Sequence, residues 1–284
     1  MLTIRNILSA AAAVSCLSIA ACGEVADQRN TSTDQGNAAD RQAVPKSPLA
    51  TPERPLVREQ VLLAAARAAS DFAAGVDDSE AQNALDGRRF EFRIRFGCDG
   101  ESGHSAAFDW AFDAATQTLK LSATPTLSAQ DDPVRAIAGE AFEAVEGFWI
   151  DKPWLLAPAC PRVAAGKPTA EGDLPDGMGE PSPEATEQAS VGIAQFFSAD
   201  DARTFRRSGR AYALTQRLEA GTPPAGGFDL VIAGRLKKLP NGRVIACTSS
   251  AAGERPACIL SVEFGRVVIE RADTGEELAQ WGAA

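Results

Sequence analysis

Chemistry at neutral pH usually needs a histidine, and this chain has one. His104 ends the polar stretch Cys98-Asp99-Gly100-Glu101-Ser102-Gly103, so Asp99 and Glu101 could join it in a weak metal or acid–base site. The glycine content and polarity of that stretch are also those of an ordinary strand connection, which is the expectation. There is no GxSxG nucleophile elbow, no CxxC and no HExxH, so serine-hydrolase, redox and zinc signatures are missing. Carboxylate pairs can hydrolyse glycosides, but 38 acidic residues single out no pair. No cofactor or metal is called for.

Two further constellations could recognise a ligand. Phe148, Trp149 and Trp154 flank a Lys-Pro step. Aromatic faces there could stack on a sugar or pack on a partner, or they could fill the core, where aromatics bury large areas. Arg203, Arg206, Arg207 and Arg210 could hold carboxylates or phosphates bidentately, or make surface ion pairs in an acidic protein. Core filling and ion pairing are the expectations.

The 284 residues carry a formal net charge of −10. Nucleic acid and anionic lipid surfaces are bound chiefly through clustered Lys and Arg, so neither is expected as a main partner. Hydrophobic residues make up 45%, enough for a substantial core. Arg5 precedes the apolar run Ile7 to Ala21, which includes serines and stops at fifteen residues. A membrane span needs about 20 apolar residues. A cationic start, a short apolar middle and a small-residue site make a secretory signal.

The order Leu17, Ile19, Ala20, Ala21, Cys22 resembles the lipobox of bacterial lipoprotein precursors. The resemblance covers about the first 23 residues. It implies diacylation of Cys22 on sulfur, cleavage before it and acylation of the new amine. Three acyl chains anchor stably, since each buried CH₂ contributes about 0.8 kcal/mol. Gly23, rather than Asp, follows the cysteine. In that family this favours the outer membrane over the inner one, with the protein facing the periplasm.

Export places the remaining cysteines, Cys98, Cys160, Cys247 and Cys258, where two disulfides form. Cys247 and Cys258 flank a Gly/Pro loop on what read as adjacent strands, within reach of a bridge. Of the three possible connectivities this one is expected, which leaves Cys98 with Cys160; the alternative is a bridge between the two halves.

The elements follow from pattern. Residues 22–56 are polar and proline-marked and read as a disordered tether of roughly 30 Å mean span. Leu56 to Ala74 has apolar residues at three- and four-residue spacing and reads as a helix closed by Gly75. Arg89 to Cys98, Phe108 to Phe112 and Thr118 to Thr124 alternate with period two. We expect them to form one antiparallel meander, with the arginines of the first strand facing the aspartates of the second. A short helix, Val134 to Ala144, leads into a strand, Val145 to Ile150. Residues 161–188 are rich in Pro, Gly and acid and read as a loop dividing two lobes, 57–160 and 189–284.

Beyond it come strands at Val191 to Phe197 and Arg210 to Leu218, with a short helix from Ser198 to Ser208 between them. A second meander follows: Phe228 to Leu236, an Asn241-Gly242 hairpin turn, Arg243 to Thr248, Ala257 to Phe264, Arg266 to Arg271 and Glu277 to Trp281. The expected fold is α+β, mainly antiparallel meanders with one N-terminal helix, stabilised by disulfides. The expected function is a non-enzymatic envelope module that binds a protein, peptidoglycan or a small ligand from its membrane anchor. The alternative is a periplasmic hydrolase working through carboxylates.

Overall fold

A computed structural model describes residues 53–98, 102–161, 190–199, 206–218 and 226–282. Cys22 and the tether up to residue 52, Asp99, Glu101, Arg203 and nearly all of the dividing loop lie outside the described residues. The expected end of the tether is corrected, since Leu56 is buried in a strand paired with Phe90.

The elements run β1 (Leu56–Val57), α1 (Arg58–Ala74), α2 (Ser79–Leu85), β2 (Arg89–Phe96), β3 (Ser102–His104), β4 (Phe108–Asp113), β5 (Thr118–Ala123), β6 (Leu127–Ser128), α3 (Asp132–Ala138) and β7 (Ala144–Trp149). After the loop come β8 (Val191–Phe197), β9 (Tyr212–Arg217), β10 (Phe228–Leu236), β11 (Ile245–Thr248), β12 (Ala257–Arg271) and β13 (Glu277–Gly282). Strands dominate, with three helices among the described residues.

Nine strands make one sheet in the order β1-β2-β10-β12-β8-β7-β6, with β11 and β13 also pairing with β12. Four make a second sheet, β3-β4-β5-β9. The large sheet is mixed: β1 runs parallel to β2, and β8 parallel to β12. The expectation of simple antiparallel meanders is therefore corrected to a mixed sheet.

The organising strand is β12. Its first residues pair with β11 and with β8, and its later ones with β10 and β13. Fifteen residues are long enough to serve two partners in succession on each side. The Asn241-Gly242 turn forms, with the Gly242 N–H donating to the Leu239 carbonyl at 2.9 Å. It does not make a ladder between β10 and β11, because both pair with β12 instead. The expected break between Phe264 and Arg266 is a bulge inside one strand, opposite Ala233 and Gly234. Only glycine fits at 234, where a Cβ would lie 2.0 Å from the Glu263 carbonyl oxygen.

The first meander is also redrawn. β2 joins β10 in the large sheet, while β4 and β5 pair with β3 and β9. The alternation of β2 does bury Phe90, Phe92, Ile94 and Phe96 on one face. Its arginines meet other acids than expected. Arg95 grips Asp229 of β10 at 2.7 and 3.1 Å, and Arg93 pairs with Glu91 and Glu270. A period of two fixes the face of a strand; it says nothing about which strand lies beside it.

The two stretches flanking the dividing loop do not form separate lobes. β2 pairs with β10, β7 with β8, and β5 with β9. Both sheets mix strands from the two stretches, so one core contains residues of both. That core unites Val61, Leu62, Ala65 and Ala68 of α1 with the large sheet and with Phe108, Leu119, Leu121 and Tyr212 of the small one. A second cluster gathers Val134 of α3 with Leu127, Val145, Ala194, Phe196, Ala246 and Ile259.

The disulfides are Cys98–Cys160, with Cα atoms 5.6 Å apart, and Cys247–Cys258, joining paired residues of β11 and β12. α2, not expected from the sequence, is tied to β11 by one buried side chain. Gln82 donates to Asp78 at 2.6 Å, and its oxygen accepts the Val244 and Ile245 N–H groups at 2.9 Å each.

Candidate functional site

Strand alternation separates the aromatic trio. Phe148 is fully buried between Phe108 and Tyr212, with ring centroids 6.3 Å from each. Trp149, next along β7, turns to the opposite face and packs against the second cluster. Trp154 sits in the following loop, 53% exposed. The three do not make one binding surface. Phe148 is core and Trp154 is exposed in a loop; Trp149 lines a cleft.

That cleft has a volume of about 840 Å³, within the roughly 300–1,000 Å³ of sites that hold small ligands. Asp131, Asp132, Pro133 and Ala136 come from the start of α3. Ser190 precedes β8. Thr248, Ser249, Ser250, Glu254, Arg255 and Ala257 come from the end of β11, the loop after it and the start of β12. Local geometry fixes each part. The Trp149 indole Nε1–H donates to Asp131 Oδ2 at 3.0 Å, and the Trp149 backbone N–H donates to the Thr126 hydroxyl at 3.1 Å. Asp131 is itself held by Ser128, whose hydroxyl donates to Oδ1 at 3.2 Å. Asp132 pairs with Arg135, and the Ser250 hydroxyl with Glu254. The Cys247–Cys258 bridge closes the base of the loop that carries Ser249 to Arg255.

No protein-family model, curated protein or solved structure matches the chain. The site is therefore judged on its own chemistry.

His104 sits on β3 with its Nδ1 against Asp109, and the Ser122 hydroxyl reaches the other oxygen of Asp109 at 3.5 Å. The carboxylate stands between hydroxyl and imidazole. A nucleophilic serine needs the imidazole in the middle, so this exposed trio is not built for acyl transfer. Among the described residues no cluster of three or more His, Cys, Asp or Glu side chains could hold a metal ion.

The described arginines of the row, Arg206, Arg207 and Arg210, are spent on structure. Arg206 pairs with Glu143 at 3.3 Å. Arg207 donates to the Ala211 carbonyl at 2.6 Å and stacks over Tyr212 at 4.8 Å, and Arg210 donates to the Arg207 carbonyl at 3.1 Å. The described end of the expected helix, residues 206–208, is not helical and leads into a turn. Buried Glu146 shapes it, accepting the Arg207 N–H at 2.6 Å and the Ser208 N–H at 2.7 Å. The carboxylate takes N–H groups that a helix through these residues would have engaged within itself.

Tyr212 beside it gives a pH prediction. Burial pushes its phenol up to about 12; Arg207 pulls it down and Glu146 raises it. The neutral form is the one the fold accommodates. Stability from this group is thus intact below the ordinary value near 10 and is lost as pH climbs from there through about 12. The loss amounts to about 2–3 kcal/mol. This is the chain's sole tyrosine, so tyrosinate absorbance follows it alone. We expect its midpoint near 12 in the folded protein, and Tyr212→Phe to abolish most of the alkaline loss seen in urea titrations. A midpoint near 10 would show the ring to be solvated.

The sequence singles out Trp149 but not the residues that share its cleft. The hydroxyl run Thr248-Ser249-Ser250, directly after a bridged cysteine, was the available signal. Asp131, Ser190, Glu254 and Arg255 gave none, because only the pairing of β7, β8, β11 and β12 assembles them.

Proposed function

We propose that the chain is an envelope lipoprotein, anchored to the outer membrane through Cys22 and facing the periplasm. It acts as a binding module whose ligand occupies the cleft beside Trp149. The observation that carries the reading is the composition of that cleft. One oriented indole lies among hydroxyls, carboxylates and a guanidinium, the pattern of a recognition site with a few placed polar groups. The lipobox-like run ending in Cys22 supplies the anchor, and two disulfides fit an oxidising compartment.

The test has two arms. Cys22→Ser is expected to release the protein from membrane fractions and to end fatty-acid labelling; unchanged fractionation would refute the anchor. A photocrosslinking residue at Ala136, exposed on the rim of the cleft, is expected to capture a ligand in living cells. The same residue at exposed Leu63 of α1 is expected not to capture it. Equal capture at both positions, or none, would count against the cleft.

A further inference from the structure

The shape and charge of the cleft narrow the ligand further. Trp149 is fixed at both ends. Its pyrrole nitrogen is held by Asp131 at 3.0 Å. Its six-membered ring lies over Gly192, its register partner on β8, where a Cβ would stand 3.2 Å from both Cε3 and Cζ3. The indole therefore rests on the bare backbone of the neighbouring strand. It remains half-buried and lines the cleft with the rest of its surface.

A flat, oriented aromatic surface suits a ligand with one apolar face. Around it, Ser190, Thr248 and Ser250 can both donate and accept, Asp132 and Glu254 accept, and Arg255 donates. That ring of short polar groups suits a ligand whose edges carry hydroxyls. The lining counts three acids, Asp131, Asp132 and Glu254, against one base, Arg255; Arg135 pairs with Asp132 at the rim, which leaves a net charge of −1. A phosphate, a uronic acid or an acidic peptide would be repelled there.

We propose that the cleft binds an uncharged saccharide, with the C–H face of one pyranose ring stacked on Trp149 and its hydroxyls bonded to the Asp132, Glu254 and Arg255 side chains. This rests on the cleft being the binding site, as proposed above, and adds the ligand's class.

Calorimetry on the full chain in a non-glycosidic detergent tests it, with the linear tetramers of N-acetylglucosamine and of glucose as probes. At least one is expected to bind with Kd below about 1 mM. Trp149→Ala is expected to weaken it at least about tenfold, and Trp149→Phe, which keeps a ring face, much less. Glu254→Gln and Arg255→Ala change exposed loop positions. Each is expected to weaken binding about three- to tenfold with the melting temperature unchanged, which separates lost contacts from lost folding. Affinity unaffected by the Trp149, Glu254 and Arg255 changes would place the sugar elsewhere and overturn the proposal. Absence of heat with both tetramers would also overturn it. If Ala136 crosslinking still captured a ligand, the cleft would stand as a binding site for another class, and only the saccharide assignment would fall.

Discussion

Replacing Cys98 and Cys160 together by serine is expected to destabilise the protein by about 4 kcal/mol. The bridge spans 62 residues, and the entropy of closing so long a loop in the unfolded chain gives roughly that value. At about 2–4 °C per kcal/mol for a domain of this size, the melting temperature should fall by about 8–16 °C. The loop contains β3 to β7, and the bridge pins the end of the 151–160 segment to the end of β2. By contrast, Cys247–Cys258 spans 11 residues between strands already held by their own ladder. Removing it should cost less, because the closed loop is shorter and the register survives. Thermal unfolding of the two double variants checks the ranking. A loss below about 1 kcal/mol for Cys98→Ser/Cys160→Ser would mean that the unfolded chain is not restricted as the loop length requires.

Arg58 is the second large effect. It opens α1, is 7% exposed, and donates three hydrogen bonds to backbone carbonyls: to Leu155 at 2.9 Å, to Arg93 at 3.0 Å and to Lys152 at 3.1 Å. Its guanidinium also lies 4.9 Å over the Phe92 ring. Burial pushes it down to about 10, with the charge of Asp229 pulling the other way. One side chain thus joins a helix, β2 and the loop that carries Trp154. Arg58→Ala takes one donor from each of three carbonyls, of which Lys152 keeps the Leu155 N–H at 3.0 Å, and should cost about 3–5 kcal/mol. Arg58→Lys keeps the charge but loses the planar fork that reaches three acceptors at once, so it should recover less than half of the loss. Urea denaturation measures both. Full rescue by lysine would show that charge alone matters at this position.

The two predictions are coupled. Arg58 and the Cys98–Cys160 bridge hold the same short segment, residues 152–160, against β2. Combining Arg58→Ala with loss of the bridge should therefore cost less or more than the sum, by at least about 0.5 kcal/mol. Additive losses would mean that the segment is held by its two ends independently.

The sequence by itself determined whatever depends on near neighbours along the chain. The period of two in Arg89 to Phe96 set which side chains of β2 face the core. The spacing of Val61, Leu62 and Ala65 set the buried stripe of α1. The pairing of Cys247 with Cys258 followed from two strands flanking one loop. β8 and β10 were legible to the residue. Only the tertiary structure decided which strands become neighbours. A strand's alternation chooses its face, but any strand of matching face can lie beside it, and the choice falls to the packing of the whole chain. Thus β2 left its expected partner β4 for β10, and the long β12 took four partners. The cleft belongs to that second category. Its lining comes from 131–136, 149, 190 and 248–257, stretches that touch only because β7, β8, β11 and β12 share one sheet.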